Sequence, residues 1–395
     1  PFGGTYLLVA GLQEALRFLT DFGYSDEDVG YLAAERTYDA GFLRELRRLR
    51  FTGDVWAMPE GSIAFPHEPL MRVTAPFREA LLVESGLLQA VNLATLLATK
   101  AARITYAASG KRVADFAFRR ASEPFTVARS AYIGGCVSTS FLAAAYRYGL
   151  KATGTIPHAL VELFPTEEDA FSAVADSFDR YTLLLDTYNP RRAIHTAVKA
   201  ARRASERWHH QLVAVRLDGG DLRDDSSYVR QVLDESGFAD VEILVSGDLD
   251  EFSIAELEES GAPIDGYGVG TSLGVAAGSI ARGIPGGALG GVYKLVEYED
   301  PSGVSLPKVK VSGDKSTWPG KKQVYRLGVY ERDLITLASE PAKENSTALL
   351  QPVVIQGTLA TGLPSLPDIA SRAAIQLGSM PDHYRQIEGA DRYPV

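Results

Sequence analysis

The sequence predicts an α/β fold in which a parallel sheet is closed or wound with helices on its outside. The first observation is a series of short apolar segments that each end in a polar or charged residue. The second is that amphipathic helical stretches separate these segments. The third is their spacing of roughly 25–40 residues, the size of a βαβ unit. The segments are RVADFAF (112–118), KATGTI (151–156), YTLLLD (181–186), QLVAVRLD (211–218), VEILVSGD (241–248) and IDGYGVGT (264–271).

Two of the helices between these segments carry clear start signals. Thr166 precedes three acidic residues, an arrangement that is typical of an N-cap followed by the first helical turn. Pro190 is suited to start the next helix, because its missing N–H is harmless in a first turn. We therefore expect one helix to begin after Thr166 and another at Pro190.

Both ends of the chain differ from this repeating centre. Helical periodicity covers 7–20 and 76–106, and strand-like pieces lie between them at 51–58 and 61–65. Alternating residues with glycine and proline turns at 288–328 predict antiparallel strands that pack with the N-terminal region. The predicted organisation is the N-terminal part of an α+β sandwich domain at 1–108, a β/α barrel catalytic domain at 109–285, the C-terminal part of the sandwich domain at 286–350 and a C-terminal helical tail at 351–395.

The composition excludes several classes of protein. The 395 residues are enough for two or three domains, and no stretch approaches the ~20 apolar residues of a membrane span. A net charge of −10 disfavours nonspecific binding to nucleic acid or to an anionic membrane, so neither is expected as a partner. Cys136 is the one cysteine, which excludes an internal disulfide and a cysteine-rich zinc site and fits a cytoplasmic location.

Chemically useful side chains stand where the predicted strands end. In parallel β/α folds the chemistry lies at the carboxyl ends of the strands. Basic groups, carboxylates, an imidazole and a hydroxyl together suit an anionic, metal-complexed, phosphorylated substrate. The residues are Arg119, His158, Asp186, Arg216, Asp218, Asp248 and Thr271.

His158 and the two strand-end aspartates are the candidates for catalysis. His158 follows an extended turn at Pro157, and its imidazole is suited to act as a base or as a nucleophile that takes a phosphoryl group. Asp186 and Asp218 end buried strands, where a carboxylate needs a partner, a metal or a hydroxyl group. Magnesium prefers one or two carboxylates with substrate oxygens, and ribose hydroxyls are the other natural partners of such carboxylates. The alternative is a structural interaction with Arg216 or with a helix N-terminus.

Further residues near the strand ends are candidates for substrate binding. Arg216 shares a strand face with Asp218 and is able to fork onto a carboxylate or a diphosphate. Of the adjacent Arg119 and Arg120, alternation predicts that one faces the site. Phe116 either belongs to the core or stacks on a planar ring. The last two strands end in Gly247-Asp248 and in the segment 268–271, which we expect to hold a phosphate on backbone N–H groups.

Taken together, these strings resemble the nicotinate phosphoribosyltransferases of the type II phosphoribosyltransferase fold. The resemblance covers nearly the whole chain and implies an irregular parallel β/α barrel with a mixed α+β sandwich domain. The strings that carry it are PFGG, DFAFRR, AYIGGCVSTS, GTIPHAL, LLLDTYNP, VRLDGGDL, GYGVGT, ALGGVYKLV, STWPGKKQVYR and LPSL.

The resemblance implies an enzyme that transfers phosphoribosyl from phosphoribosyl diphosphate to nicotinate. The products are nicotinate mononucleotide and diphosphate, ATP is hydrolysed as a co-substrate, and Mg²⁺ assists. His158 matches the histidine that the family phosphorylates with ATP. A carrier role is coherent, because the free pyridine nitrogen of nicotinate needs no strong base. Asp186 and Asp218 match the carboxylates for ribose and magnesium.

The remaining positions match substrate contacts. Thr155 and Arg216 match nicotinate contacts, and Arg119 matches a basic residue near the ring and the diphosphate. The members of the phosphoribosyl-phosphate pocket are matched by Gly247, Asp248, Gly270 and Thr271.

The chain departs from the family pattern at a few positions. The family usually has glycine where Ala117 stands, serine where Gly219 stands and Asp-Gly where Val137-Ser138 stands. The chain opens at Pro1 without methionine, and we expect a preceding segment. In the family that segment supplies a tyrosine that crosses a homodimer to a shared active site.

Alternative functions stay open at this point. They are transfer to nicotinamide or quinolinate, a catalytically silent regulatory paralogue, and an unrelated barrel enzyme such as an aldolase. None of the predicted strands ends in the lysine that a Schiff-base aldolase needs.

Overall fold

A computed structural model describes residues 1–35, 37–310 and 318–395 of the chain. The strands predicted over 288–328 therefore fall partly outside the described residues, at 311–317. The described chain forms two units. The first comprises Pro1, Gly3–Thr99 and Ala288–Val395, and the second comprises Phe2 and Lys100–Gly287.

The helices and strands of the described chain alternate in its middle part and follow one another in runs near both ends. The helices are α1 (Leu12–Thr20), α2 (Asp26–Ala34), α3 (Ala40–Arg48), α4 (Phe77–Leu82), α5 (Glu84–Ala107), α6 (Pro124–Ile133), α7 (Leu142–Tyr148), α8 (His158–Leu163), α9 (Glu167–Ser177), α10 (Pro190–Trp208), α11 (Leu222–Glu235), α12 (Glu251–Glu259), α13 (Thr271–Gly274), α14 (Leu366–Ser379) and α15 (Asp382–Arg385), with a 3₁₀ turn at Phe118–Arg120. The strands are β1 (Leu7–Leu8), β2 (Asp54–Ala57), β3 (Ile63–Ala64), β4 (Met71–Thr74), β5 (Arg112–Asp115), β6 (Ser138–Thr139), β7 (Arg180–Leu184), β8 (Gln211–Leu217), β9 (Glu242–Val245), β10 (Gly266–Val269), β11 (Glu297–Glu299), β12 (Ser305–Pro307), β13 (Lys322–Leu327), β14 (Arg332–Leu337), β15 (Ser346–Ala348), β16 (Gln351–Ile355) and β17 (Thr358–Leu359).

The second unit contains a parallel sheet of six strands in the order β6-β5-β10-β9-β8-β7. Its neighbouring strands are parallel at every pairing, so the predicted α/β class is confirmed as an incomplete, irregular barrel. Because the strands are parallel, their carboxyl ends meet at one edge, and this brings the residues after β7, β8 and β9 together.

One predicted strand of the barrel is wrong. The stretch 151–156 forms only an isolated bridge between Ala152 and Thr139. Its neighbour in the sheet is β6, a strand of two residues that the sequence did not predict. Gly154 and Pro157 interrupt the run that would extend the strand, and two residues are too few to show a period of two.

The two predicted helices are confirmed. Thr166 caps α9 by accepting a hydrogen bond from the Asp169 N–H, and α10 begins at Pro190. The alanine-rich face of α10 is buried while its arginines stay at the surface. That division follows from a helical period with small apolar residues on one side.

The first unit is built from antiparallel sheets and helices, in agreement with the mixed α+β class that the sequence predicts for the N- and C-terminal segments. One sheet has the strand order β17-β16-β2-β4 and another has the order β14-β13-β15. Helix α1 and the first part of α5 pack on β2 and β16 through Leu16, Leu87, Val55 and Val354. The tail that was expected to be helical begins with β16 and β17 and becomes helical at α14.

Helix α1 starts later than the predicted range 7–20, because Leu7 and Leu8 form β1. Among the residues that the structure describes, every helix is too short or too polar to cross a bilayer.

Candidate active site

Arg216 lies at the centre of a hydrogen-bonded network at the carboxyl ends of β8 and β9. Its Nε donates to Ser246 Oγ at 2.8 Å, and its two terminal nitrogens donate to Thr155 Oγ1 at 2.6 Å and Asp218 Oδ1 at 2.5 Å. The register pairs Leu217 with Val245, which sets Asp218 and Ser246 side by side just beyond the strands. The guanidinium therefore ties three segments of the second unit together.

Asp218 is held in its charged form by this network. Ser246 Oγ donates to Asp218 Oδ1 at 2.5 Å, alongside the bond from Arg216. Burial acts to raise the pKa of Asp218, but the hydrogen bond from Ser246 and the positive charge of Arg216 outweigh it and lower the pKa below its usual value. The carboxylate is thus a fixed negative charge at the mouth of the barrel.

His158 lies against this carboxylate. It is the first residue of α8, placed by the extended backbone of Pro157. Its Nε2 is 3.4 Å from Asp218 Oδ2, and its Nδ1 is 3.1 Å from Thr187 Oγ1. The imidazole is partly exposed, so a substrate is able to reach it.

Asp186 has one satisfied and one unsatisfied oxygen. Oδ2 accepts a hydrogen bond from the Asp218 backbone N–H at 2.7 Å, whereas Oδ1 is buried and has no hydrogen-bond partner among the described residues. Burial raises the pKa of this carboxyl group. A buried acceptor without a partner is unfavourable, and it fits a site that a cation or a substrate hydroxyl completes.

No group of three or more His, Cys, Asp or Glu side chains in the described ranges forms a metal cage. A magnesium ion at Asp186 would therefore need most of its ligands from the substrate and from water, which is how Mg²⁺ commonly binds phosphates.

Phe116 forms one wall of the site. The Arg216 guanidinium carbon lies 5.6 Å from the centroid of its ring. The ring packs directly on Gly268, where an added Cβ would come within 2.5 Å of it. Asp115 fixes the turn that carries Phe116, because its carboxylate accepts hydrogen bonds from Ala117 N and Thr139 Oγ1, both at 2.8 Å.

The loop after β9 approaches the network through its backbone. Gly247 has a φ of +97°, and a Cβ at this position would lie 1.8 Å from the carbonyl oxygen of Asp218. Only glycine permits that approach. The next residue, Asp248, is exposed to solvent.

The segment after β10 closes the same end of the sheet. Gly270 precedes α13, and Thr271 is its first residue. Ser272 Oγ is buried there without a hydrogen-bond partner in the described structure. The position is therefore suited to an oxygen-rich group, although the sequence singled out Thr271 and not its neighbour.

The structure brings most of the predicted site residues together. His158, Asp186, Asp218, Thr155 and Arg216 form one continuous network. Arg119 does not join it: it is exposed in the 3₁₀ turn and makes no hydrogen bond to those side chains within the described residues.

Sequence reasoning missed four polar residues that support the site. Ser246, Thr187, Asp115 and Thr139 each bond to one of its members or to the turn beside it. Ser246 and Asp115 carry a local signal in the sequence, because Ser246 directly precedes Gly247 and Asp115 directly precedes Phe116.

A cavity of about 780 Å³ extends from this network along the inner face of the sheet. Phe116, Thr155, Arg216 and Ser246 line its end at the site. The other end is lined by residues that start the strands, namely Arg112, Arg180, Gln211 and Glu242. The barrel interior therefore has room for a small planar ligand beside Phe116 and Arg216.

Comparisons with known proteins agree on one family. A model of the nicotinate phosphoribosyltransferase (NAPRTase) N-terminal domain matches residues 1–92. Nicotinate phosphoribosyltransferase pncB2 of Mycobacterium tuberculosis is 39% identical over 100% of this chain and 84% of its own length. Nicotinate phosphoribosyltransferase of Bacillus subtilis is 35% identical over 100% of this chain and 85% of its own.

A solved structure gives the same result for the fold. The crystal structure of human nicotinic acid phosphoribosyltransferase superposes with a TM-score of 0.84 at 28% identity, covering 100% of this chain and 90% of the human one.

Proposed function

The chain belongs to the nicotinate phosphoribosyltransferase family, and we propose that it transfers the phosphoribosyl group of phosphoribosyl diphosphate to nicotinate. The products are nicotinate mononucleotide and diphosphate. We further propose that ATP hydrolysis is coupled to this transfer through a phosphohistidine at His158, and that the enzyme acts in the cytoplasm.

The observation that carries this proposal is the network of Arg216, Asp218, His158 and Asp186 with one buried oxygen left open. An arginine and an imidazole beside two carboxylates suit a substrate that carries both phosphates and sugar hydroxyls. A structural ion pair would satisfy every oxygen, whereas Asp186 Oδ1 has no partner in the described structure.

Nicotinate fits between Phe116 and Arg216. The pyridine ring would stack on Phe116, and the cavity behind it accommodates the ring. Arg216 uses three N–H groups in the bonds described above, so two of the five guanidinium N–H groups remain to fork onto the nicotinate carboxylate. Thr155, bonded to the same guanidinium, would complete that contact.

The transfer step builds positive charge on ribose C1 and negative charge on the departing diphosphate. The C1–oxygen bond to diphosphate breaks as the pyridine nitrogen forms its bond to C1. Asp186 Oδ1 would bind a ribose hydroxyl or the metal, and the negative charge of Asp218 would stabilise the cationic sugar. When bound, Mg²⁺ would offset charge on the diphosphate.

The phosphate groups would bind at the two glycine loops. Gly247 and Asp248 follow β9, while Gly270 and Thr271 follow β10, and both loops lie at the carboxyl edge of the sheet. Their backbone N–H groups and the hydroxyl of Thr271 suit phosphate oxygens. Exposed Arg119 would add positive charge from the turn after β5.

The surroundings of His158 indicate how it would carry a phosphoryl group. Nε2 faces the Asp218 carboxylate, so a proton on Nε2 would be stabilised there. Nδ1 faces the neutral hydroxyl of Thr187, which repels an incoming phosphate less than a carboxylate does. In the proposed step the Nδ1–phosphorus bond forms, the bond from the γ-phosphorus to ADP breaks, and Nε2 keeps its proton. Water would then attack the phosphorus, the Nδ1–phosphorus bond would break, and inorganic phosphate would leave, which completes the hydrolysis of ATP.

We also propose a homodimer with a shared active site. Helix α7 presents large apolar side chains to solvent, with Leu142 72% and Tyr146 94% exposed. Exposed apolar side chains of this size are typical of interfaces.

A transfer assay with labelled phosphoribosyl diphosphate tests the proposal. Nicotinate, nicotinamide and quinolinate are compared with and without ATP, and nicotinate should give the highest kcat/KM and be stimulated by ATP. His158→Ala should abolish the stimulation while sparing basal transfer. His195→Ala, at a surface histidine that bonds to Tyr228, is the matched control.

Two results would contradict parts of this proposal. Absence of transfer to nicotinate would remove the activity, and preference for another pyridine would replace the substrate. Full ATP coupling in His158→Ala would show that this histidine is not the carrier.

A further inference from the structure

A fully buried group of three charges lies in the second unit, apart from the residues discussed so far. The side chains of Lys100, Arg103 and Glu251 are each 0% exposed. Lys100 Nζ contacts Glu251 Oε2, and Arg103 Nε donates to Glu251 Oε1 at 3.2 Å. We call these residues the Glu251 cluster.

Burying three charged side chains is unfavourable in free energy, so the position of the cluster in the fold needs an explanation. Removing charges from water is unfavourable unless each is paired, and well-packed apolar residues often stabilise a core equally well. Lys100 and Arg103 are three residues apart on α5, so both face the same side and reach one carboxylate. Two cations thus restrain a single acidic side chain from both oxygens.

Glu251 is the first residue of α12 and directly follows the loop 247–250. Asp250 caps the same helix by accepting hydrogen bonds from Phe252 N at 3.0 Å and Ser253 N at 2.8 Å. Ser253 Oγ accepts in turn from Asp250 N at 2.9 Å. The end of the loop at α12 is therefore held by a cap and by a buried ion cluster.

The other end of the loop is fixed at the site. Gly247 touches the backbone of Asp218, and Ser246 bonds to both Arg216 and Asp218. Between these two anchors, Gly247 and Asp248 are exposed to solvent. A short loop with both ends fixed has few alternative conformations, so its N–H groups are aimed before a ligand arrives.

We propose that Glu251 is a positioning residue for the phosphate-binding loop 247–250, held in place by Lys100 and Arg103. The inference rests on the proposed function for the identity of the ligand, phosphoribosyl diphosphate. Under this proposal, the cluster affects the affinity for the substrate without contacting the substrate.

Glu251→Gln tests this inference, because it keeps the shape of the side chain and removes its charge. We expect the KM for phosphoribosyl diphosphate to rise about 10-fold, the scale of a misplaced binding group, while the KM for nicotinate changes less than about twofold. Backbone amides of 247–250 should exchange with deuterium about 10-fold faster in the ligand-free enzyme. Lys100→Met keeps the Arg103–Glu251 pair and should shift both quantities in the same direction by less, so it serves if Glu251→Gln does not fold.

Asp333→Asn is the matched control, since it breaks a buried arginine–aspartate pair in the first unit. Measured well below its Tm, it should leave both KM values unchanged. A Glu251→Gln enzyme with unchanged KM for phosphoribosyl diphosphate and unchanged amide exchange would overturn the inference, as would an equal rise in both KM values. If the unmodified enzyme transfers no phosphoribosyl group, the proposed function fails, and amide exchange alone decides the positioning role.

Discussion

Each unit contains a close arginine–aspartate pair, and the two pairs differ in what surrounds them. Arg216–Asp218 in the second unit and Arg326–Asp333 in the first both have a shortest contact of 2.5 Å. The Asp218 side chain is 25% exposed, whereas that of Asp333 is fully buried. The same chemical pair thus occurs once at an open site and once in a closed interior.

Both carboxylate oxygens of the closed pair accept hydrogen bonds within the protein, while Arg326 Nη1 is buried without a partner in the described structure. Asp333 accepts from Arg326 through both carboxylate oxygens and from Tyr393 Oη at 2.8 Å. Phe65 and Tyr330 place their rings 5.3 Å and 4.5 Å from the guanidinium carbon. Because both side chains are buried, we expect this pair to contribute to the stability of the first unit.

The open pair differs through its neighbours. His158 stands 3.4 Å from Asp218, and Asp186 keeps one buried oxygen without a partner in the described structure. The comparison teaches that an arginine–aspartate pair alone does not mark an active site. Solvent access and the neighbouring imidazole of His158 distinguish the open pair, because the closed pair also has a buried polar atom without a partner among the described residues.

Asp333→Asn should break the closed pair with the largest effect on stability. It leaves the Arg326 guanidinium buried without its counter-charge, which costs about 3–5 kcal/mol. For a unit of this size the Tm should fall by about 10 °C. Differential scanning calorimetry measures the change, and kcat at a temperature well below the transition should stay within about twofold. A loss of turnover with unchanged stability would show that the pair is not structural.

Asp218→Asn should break the open pair and lower activity rather than stability. Turnover should fall by more than ~100-fold, the scale of losing one transition-state contact, while the Tm changes little. Asp176→Asn, at a surface carboxylate paired with Arg203 at 3.1 Å, is the control for removing an aspartate charge. Near-normal turnover in Asp218→Asn would remove this residue from the site.

The sequence was sufficient to predict the barrel because its signal repeats. Strands that begin at Arg112, Arg180, Gln211, Glu242 and Gly266 each combine an apolar run with a polar end, and parallel pairing brings those ends to one edge. Strand β6 was missed because two residues carry no periodicity. Its position depends on pairing with β5, a contact between distant parts of the chain.

The candidate site was predictable as a set of residues but not as a network. Arg216 and Asp218 were predicted to share a face, yet the bond to Ser246 depends on the register between β8 and β9, which no local pattern encodes. The turn at Phe118–Arg120 leaves Arg119 exposed, because the chain leaves the strand after Asp115 and strand alternation no longer applies.

Glu68→Gln should sharpen the comparison through pH, with the smallest effect of these three variants. Burial, followed by the hydrogen bond and negative charge of neighbouring Asp333, raises the pKa of Glu68 from 4.5 to about 9. Between these values the folded protein keeps a proton that the unfolded chain releases, so stability falls as pH rises. The pH dependence of stability that comes from Asp218 has the opposite sign. Because the pKa of Asp218 is lowered, its contribution to stability is present at neutral pH and is lost on acidification. From about pH 6 to about pH 7, the Tm of the unmodified protein should therefore fall by about 3–5 °C more than that of Glu68→Gln, equivalent to about 1.4 kcal/mol for one proton over one pH unit. Calorimetry at both pH values measures this difference, with Glu344→Gln at an exposed position as the control. Parallel Tm–pH curves for Glu68→Gln and the unmodified protein would mean that Glu68 is ionised in the folded state.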